Sequence, residues 1–153
     1  MDAVAEFLRR IPAEIARAGG SVPWRAAVLV IALLANIGFY LPLDPDGTAP
    51  PGLDKAVHLV LFAATVFAAG RVLAPRRRFP IGWVAVVALL HAVVIELVQH
   101  LAIPGRAGDP VDVLFDVVGI ALGLGLWAGE RVLRRAAAEH EVEPGPVPEA
   151  HRR

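Results

Sequence analysis

The sequence contains no cysteine, which excludes disulfide bonds, thiol catalysis and thiolate metal sites. Aliphatic hydroxyls are almost as scarce, because Ser21, Thr48 and Thr65 are the only serine and threonine residues. The chain also lacks the G-x-S-x-G and H-E-x-x-H motifs and any glycine-rich phosphate loop. Any chemistry would therefore depend on an activated water or a carboxylate and not on a serine.

An excess of charge of one sign is also missing, since the formal net charge is +0. The chain therefore has no overall basic field that would indicate a nucleic-acid partner. Apolar residues, in contrast, make up 56% of the 153 residues, and the mean hydropathy is +0.58. This hydropathy is too high for an ordinary soluble domain, and the length suggests one domain.

Four apolar runs cover residues 26–43, 56–74, 81–103 and 111–128. A helix needs roughly 20 mainly apolar residues to cross the hydrocarbon core of a bilayer. Because lipid cannot satisfy backbone hydrogen bonds, each run is expected to be a helix. A signal peptide does not fit the first run, since the preceding segment is long and no small-residue cleavage site follows. The predicted fold is an all-α membrane protein, a bundle of four transmembrane helices.

The flanking segments differ from this core of residues 24–130. Residues 1–22 carry apolar positions at helical spacing with charges between them, which favours a cytoplasmic amphipathic helix on the membrane surface, although a solvated tail is the alternative. Pro12 would divide that helix. Residues 136–153 become charged and then proline-rich, so a disordered cytoplasmic tail is expected.

Basic residues near the helix ends predict the orientation. Eleven arginines lie close to helix ends on one side, before the first run, around the connection between the second and third runs, or directly after the fourth run: Arg9, Arg10, Arg17, Arg25, Arg71, Arg76, Arg77, Arg78, Arg131, Arg134 and Arg135. The other two connections hold only Lys55 and Arg106. Both termini are therefore predicted to be cytoplasmic, with the protein in the plasma membrane.

In this orientation, polar residues of three helices fall near the outer face. They are Asp54, Lys55 and His58 in the second helix, Glu96, Gln99 and His100 in the third, and Asp112 and Asp116 in the fourth. A charge at mid-bilayer costs roughly 2.5 to 3.5 kcal/mol, so such residues normally face the bundle interior and mark function. The alternative is that they only tie helices together through hydrogen bonds.

Other small or polar residues have simpler explanations. His91 lies about 140° around its helix from Glu96, so it is expected to make one interhelical hydrogen bond, as is Asn36. Two GxxxG pairs, Gly119 with Gly123 and Gly125 with Gly129, allow close helix approach. That approach would occur within the bundle or in a homo-oligomer.

These polar residues follow the pattern of a known family. Asp54-Lys55-Ala56-Val57-His58 resembles the D-K-x-x-H opening of the second helix in VanZ-like proteins, and Glu96 with Gln99 matches their E-x-x-Q. The order Arg106, Asp112, Asp116, Gly119 is similar to R-x5-D-x3-N-x2-G, except that the family usually has asparagine where this chain has Asp116. The extra carboxylate adds negative charge, or one of the two aspartates holds a proton.

The resemblance implies a cell-envelope membrane protein linked to low-level glycopeptide resistance, to teicoplanin in particular. Three function classes stay open, in descending order. A binding factor would recognise a lipid-linked cell-wall intermediate or a lipoglycopeptide through Lys55 and Arg106. A membrane-embedded hydrolase or transferase would use His58 as general base with Glu96 or Asp112. A small proton-linked transporter comes third, because the chain is short and shows no inverted repeat.

The candidate site therefore consists of Asp54, Lys55, His58, Glu96, Gln99, Arg106, Asp112 and Asp116. No cofactor or resident metal is expected, although a divalent cation held by His58 and the carboxylates is an arrangement that these residue types allow.

Overall fold

A computed structural model describes residues 21–41, 49–74, 80–103 and 108–142. These residues form four long helices and no strand: α1 (Val22–Asn36), α2 (Leu53–Leu73), α3 (Ile81–Ala102) and α4 (Pro110–Val142). A 3₁₀ turn, Ile37–Tyr40, continues α1. The segment Val22–Tyr40, which joins α1 to this turn, and each of the other three helices are long and apolar enough to cross a membrane, so the predicted multi-pass all-α fold is confirmed.

Local sequence explains where the helices begin. Pro23 lies in the first turn of α1, where its missing N–H is no loss and its fixed φ suits the helix. Gly52 precedes α2 with φ of 78°, a left-handed conformation that side chains with a Cβ rarely adopt. Asp109 precedes α4, whose first residue is Pro110.

The closest packing in the bundle is between α2 and α4. A Cβ at Gly119 would lie 2.5 Å from the Leu59 carbonyl oxygen, and one at Gly123 would lie 2.6 Å from that of Ala63. Only glycine allows this approach, so the first GxxxG pair serves packing inside the bundle. Gly125 has open space around its Cβ position.

The core lies where all four helices meet. Phe39, Phe62, Val66, Ala92 and Ile95 are nearly or completely buried there. Large apolar side chains on the opposite helix faces are exposed, including Ile31, Leu90, Leu97, Leu122 and Leu126. In a helix bundle within lipid, one face of each helix packs in the core and the opposite face contacts the lipid, so apolar residues are required on both faces.

The fourth helix is longer than its apolar run. Its 33 residues, from Pro110 to Val142, correspond to about 50 Å at 1.5 Å per residue. This helix includes residues 136–142, which are the first seven residues of the segment that the sequence predicts to be disordered. Residues 143–153 and the predicted amphipathic segment lie largely or wholly outside the described residues.

Helices that follow one another in the sequence run in opposite directions, so α2 and α4 run in parallel, and the bundle has two distinct ends. One end, the acidic end, combines the 3₁₀ turn, the start of α2, the end of α3 and the start of α4; its polar residues are Asp54, Lys55, His58, Glu96, Asp109, Asp112 and Asp116. At the other end, the basic end, the Arg71–Glu130 ion pair joins the last turn of α2 to α4, and Arg131 and Arg134 of α4 lie close to it.

Candidate functional site

His58 lies at the centre of the acidic end, one helical turn below Lys55. Its side chain is 1% exposed, and its ring packs 4.4 Å from the centroid of the Phe39 ring. Nδ1 is 2.9 Å from Asp116 Oδ1 on α4. With Asp116 ionised, so that it only accepts, and with the imidazole neutral, Nδ1–H donates to Asp116 and Nε2 carries the lone pair. That lone pair is directed away from Asp116 and is available to the site.

Two carboxylates from other helices approach His58. Asp112 Oδ2 of α4 is 3.9 Å from His58 Nε2. Glu96 comes from α3, and one ligand atom from each of His58, Glu96 and Asp112 lies within 4.8 Å of the others. The three residues that sequence reasoning nominated for chemistry are thus brought to one place by three helices.

Lys55 covers the cluster on the side nearer the helix ends. Its Nζ is 3.1 Å from Asp54 Oδ2, 3.0 Å from Asp109 Oδ2 and 3.3 Å from Asp112 Oδ1. The side chain is 27% exposed, while that of Asp112 is only 8% exposed. Lys55 is therefore both a counter-ion for the cluster and the cation that an incoming ligand would meet first.

Asp109 is part of the acidic end, and the sequence did not identify it. Its Oδ1 accepts a hydrogen bond of 2.9 Å from the Val111 N–H, and its own N–H donates to Glu96 Oε2 at 2.7 Å. The Val111 hydrogen bond, and then Lys55, hold the pKa of Asp109 below its usual range. The sequence signal that could have identified Asp109 is an aspartate directly before a proline, a pattern that is typical of the start of a helix.

Gln99 and Phe39 connect the cluster to the 3₁₀ turn. Gln99 is buried, and its Nε2 donates to the Phe39 carbonyl oxygen at 3.0 Å. This contact fixes the turn so that the Phe39 ring stays against His58. Phe39 carried no sequence signal of a role here, because a phenylalanine in an apolar run looks like any core residue. Arg106 lies outside the described residues.

Polar residues away from the cluster make the simple contacts expected of them. His91 Nε2 is 3.0 Å from the Tyr40 hydroxyl, which links α3 to the 3₁₀ turn. Asn36 Nδ2 donates to Thr65 Oγ1 at 2.8 Å and so links α1 to α2. Both predicted interhelical hydrogen bonds are confirmed. His100 is exposed near the end of α3.

Most of the buried polar atoms that have no hydrogen-bond partner among the described residues lie at the acidic end. They include His58 Nε2, Glu96 Oε1 and Asp116 Oδ2. Buried polar groups in folded proteins are nearly always hydrogen-bonded, and each exception needs an explanation. A lone pair on imidazole and several carboxylate oxygens can accept hydrogen bonds, accept a proton or coordinate a cation.

Comparison with known proteins adds one positive result to this geometry. A family model described as VanZ/LLP1 matches residues 6–134, which is most of the chain and includes α1, α2, α3 and α4 as far as residue 134. No curated protein and no solved structure matches closely enough to indicate a relationship. The match covers every residue of the acidic cluster, and the protein is therefore a multi-pass membrane protein of the VanZ/LLP1 family.

Proposed function

We propose that this protein binds the polar head of a lipid-linked cell-envelope component, or of a lipoglycopeptide, at its acidic end and thereby gives low-level protection against teicoplanin. The observation that carries the proposal is the convergence of His58, Glu96 and Asp112 from three helices, with buried atoms that have no hydrogen-bond partner in the described part of the chain. Membership of the VanZ/LLP1 family supports the link to resistance.

The position of the cluster suits a ligand that has a lipid tail. His58 is the sixth residue of α2 and Asp112 the third of α4, so both lie close to the helix ends and to the level of a membrane interface. Exposed apolar side chains of the same helices, Val60 and Leu114, face outward at similar heights. A lipid tail could remain in the bilayer while its head entered the cluster.

The chemistry of the cluster favours a lipid head group that is rich in hydrogen-bond donors. The carboxylates and His58 Nε2 accept hydrogen bonds, which suits sugar hydroxyls, peptide amides or an ammonium group. Lys55 is the counterpart for a phosphate or carboxylate, but three aspartates already surround it. A bare phosphate would therefore meet repulsion from the carboxylates as well as attraction from Lys55.

The predicted orientation places the acidic end on the outer side of the plasma membrane, because the arginines cluster at the opposite helix ends. Envelope lipids carrying cell-wall precursors and glycopeptide antibiotics would then reach the site from outside. A site on the inner side would not encounter the antibiotic in the same way.

Teicoplanin susceptibility tests the proposal when it is normalised to the amount of protein in the membrane. His58→Ala and Asp112→Asn should remove protection at normal protein levels, whereas His91→Ala should retain it. His91 is a matched control, since it also makes a polar contact between two parts of the bundle. Asp116→Asn should protect better than Asp116→Ala, because an amide oxygen can still accept from His58 Nδ1. Equal protection by the His58→Ala and wild-type proteins would refute the proposal.

A second candidate function is a membrane-embedded hydrolase or transferase that acts on a lipid-linked substrate. The observation in its favour is the hydrogen bond from His58 Nδ1 to Asp116, which orients Nε2 toward the carboxylates as a general base. Release of a water-soluble head group from a lipid-linked substrate by the purified protein would support it. Stoichiometric binding without turnover would exclude this second function, and only the binding function would remain.

A further inference from the structure

We propose that the acidic end holds a divalent transition-metal cation, with zinc the best fit, coordinated by His58 Nε2 and by one oxygen each from Glu96 and Asp112. This cation site does not depend on the proposed head-group ligand, although the role suggested for it below rests on the proposed function. The described residues contain the three ligands in full, one from each of α2, α3 and α4.

The distances suit a small cation. One donor atom from each residue lies within 4.8 Å of the other two. Four-coordinate zinc with bonds of about 2.1 Å separates its ligand atoms by about 3.4 Å. His58 Nε2 and Asp112 Oδ2, at 3.9 Å, are already near that separation. Side-chain movements of about 1 Å would complete the site.

The burial of the ligands points to an occupant. Acidic groups often cluster on protein surfaces without binding anything, but the His58 side chain is 1% exposed and its Nε2 has no hydrogen-bond partner among the described residues. Glu96 is half-buried, but its Oε1 atom is buried and also has no hydrogen-bond partner among the described residues. A buried imidazole lone pair facing carboxylate oxygens is repelled by them unless a proton or a cation lies between. A cation satisfies all of these atoms together.

Each proposed ligand is held from its far side by a neighbouring group. Asp116 accepts from His58 Nδ1, the Asp109 N–H donates to Glu96 Oε2, and Lys55 Nζ lies 3.3 Å from Asp112 Oδ1. Metal-bound histidine typically donates its other N–H to a carboxylate, and metal-bound carboxylates are themselves hydrogen-bonded. The arrangement therefore leaves one atom of every ligand directed inward.

The charge of the cluster also calls for a cation. Glu96, Asp112 and Asp116 bring three carboxylates together, and Lys55 is the nearby lysine that opposes them. Asp54 and Asp109 also contact Lys55, so carboxylates outnumber it, and a divalent cation would offset part of this surplus in a region of low dielectric constant. The competing arrangement keeps the site empty by protonating one carboxylate or more, and the experiment below distinguishes the two.

The ligand set selects among cations. Calcium takes six to eight oxygen ligands, and magnesium keeps near-ideal octahedral oxygen coordination with several waters. Imidazole nitrogen suits zinc and other transition metals, and three protein ligands with an open position are typical of zinc sites that bind a water or substrate. His58, Glu96 and Asp112 match this second pattern.

An open position on the metal would explain how a phosphate could bind close to so many carboxylates, which is a difficulty for the proposed function. Carboxylates around Lys55 disfavour a bare phosphate, but a cation between them and the phosphate would attract it. A phosphate oxygen of the lipid-linked head group is therefore the class of ligand expected at the open position.

Metal binding by the full-length protein tests the cation site. The protein, carrying a tag without histidine, is placed in lipid nanodiscs, stripped with chelator and titrated with Zn²⁺ and, for spectroscopy, Co²⁺. The wild-type protein should bind about one cation per chain, with a Co²⁺ absorption spectrum typical of four-coordination. Glu96→Gln and Asp112→Asn, which change size little, should each weaken affinity about tenfold or more.

Two controls keep the result interpretable. His91→Ala should bind the cation as the wild type does, and so should a variant in which the tail histidines His140 and His151 are both replaced by alanine. Binding that disappears with the tail histidines, or that survives Glu96→Gln and Asp112→Asn unchanged, would overturn the site. So would the absence of binding by folded wild-type protein, which would favour protonated carboxylates.

The same measurements separate this inference from the proposed function. If the cation binds but His58→Ala still protects cells from teicoplanin, the cation site stands and the proposed function fails. If protection requires His58 but the purified protein binds no Zn²⁺, the proposed function stands and the cation site is overturned.

Discussion

The two ends of the bundle both contain buried or half-buried charges, but they satisfy them differently. At the basic end, Glu130 lies between Arg71, at 3.1 Å, and Arg134, at 2.7 Å, and Arg131 stacks 4.9 Å from the Trp127 ring centroid. At the acidic end, carboxylates face a histidine whose Nε2 has no hydrogen-bond partner within the described chain. Charged groups held by ion pairs and ring contacts stabilise a fold, whereas buried acceptors without a partner among the described residues suit a ligand.

This comparison depends first on which end faces outward. The chain has no cysteine, so single cysteines report position without background. Ala49→Cys, near the acidic end, should react with an impermeant thiol reagent in intact cells, and Ala138→Cys should react only after lysis. Both positions are exposed, while Ala92→Cys is a buried control that should react in neither case. Labelling of Ala138→Cys from outside would reverse the orientation and place the site in the cytoplasm.

The seam, where α2 packs against α4 at Gly119 and Gly123, holds the two ends in place relative to each other. Substitutions in this seam should therefore have the largest effect on stability. Gly119→Ala puts a Cβ 2.5 Å from a backbone oxygen, so overpacking should lower the free energy of unfolding by about 1–3 kcal/mol or more. Gly125→Ala has open space and should be neutral or stabilising by up to about 1 kcal/mol. Reversible unfolding in mixed micelles measures both, and equal effects would mean that the seam is not tightly packed.

Glu130→Gln should show that the basic end is structural. It removes the charge that lies between Arg71 and Arg134, whose side chains are 12% and 40% exposed. Breaking this half-buried pair should lower the free energy of unfolding by about 1–2 kcal/mol, less than for a fully buried pair. Teicoplanin protection, corrected for protein level, should not change. A loss of protection at normal protein level would give the basic end a function.

A smaller effect is expected where Asp109 meets Lys55, at the exposed edge of the acidic end. The Val111 N–H and Lys55 lower the pKa of Asp109 in the folded protein. Its charge therefore stabilises the fold above the unfolded pKa of about 3.9, and this contribution is lost as pH falls through the folded pKa. The difference in Tm between wild type and Asp109→Asn should be present at neutral pH and vanish in acid. A difference that is independent of pH would show that the charge does not matter.

The helices were predictable because lipid imposes a simple rule on sequence. Each span needs a long apolar run, and the runs around residues 56–74 and 81–103 agree closely with α2 and α3. The convergence of His58, Glu96 and Asp112 was predictable for the related reason that ionisable groups inside a membrane normally face the bundle interior.

Other features could not be predicted, because they depend on tertiary contacts that the spacing of residues in the sequence does not reveal. The backbone N–H of Asp109 reaches Glu96 only because the connection between α3 and α4 folds back over the end of α3. Phe39 contacts His58 only because the 3₁₀ turn redirects the chain after α1. The extent of α4 was underestimated, since the charged segment after residue 136 begins with alanines, which are strong helix formers, and charge alone does not end a helix.

The free energy of unfolding of Glu96→Gln, measured without added metal, tests most directly whether the acidic end is a ligand site or a structural link. A glutamine oxygen can still accept from the Asp109 N–H, and its amide can donate to Asp112 or His58. Because the substitution also removes a surplus negative charge, stability should stay equal or rise by up to about 1 kcal/mol while teicoplanin protection is lost. A clear loss of stability, with protection falling only in proportion to the folded protein, would contradict this account and make the cluster a link between helices.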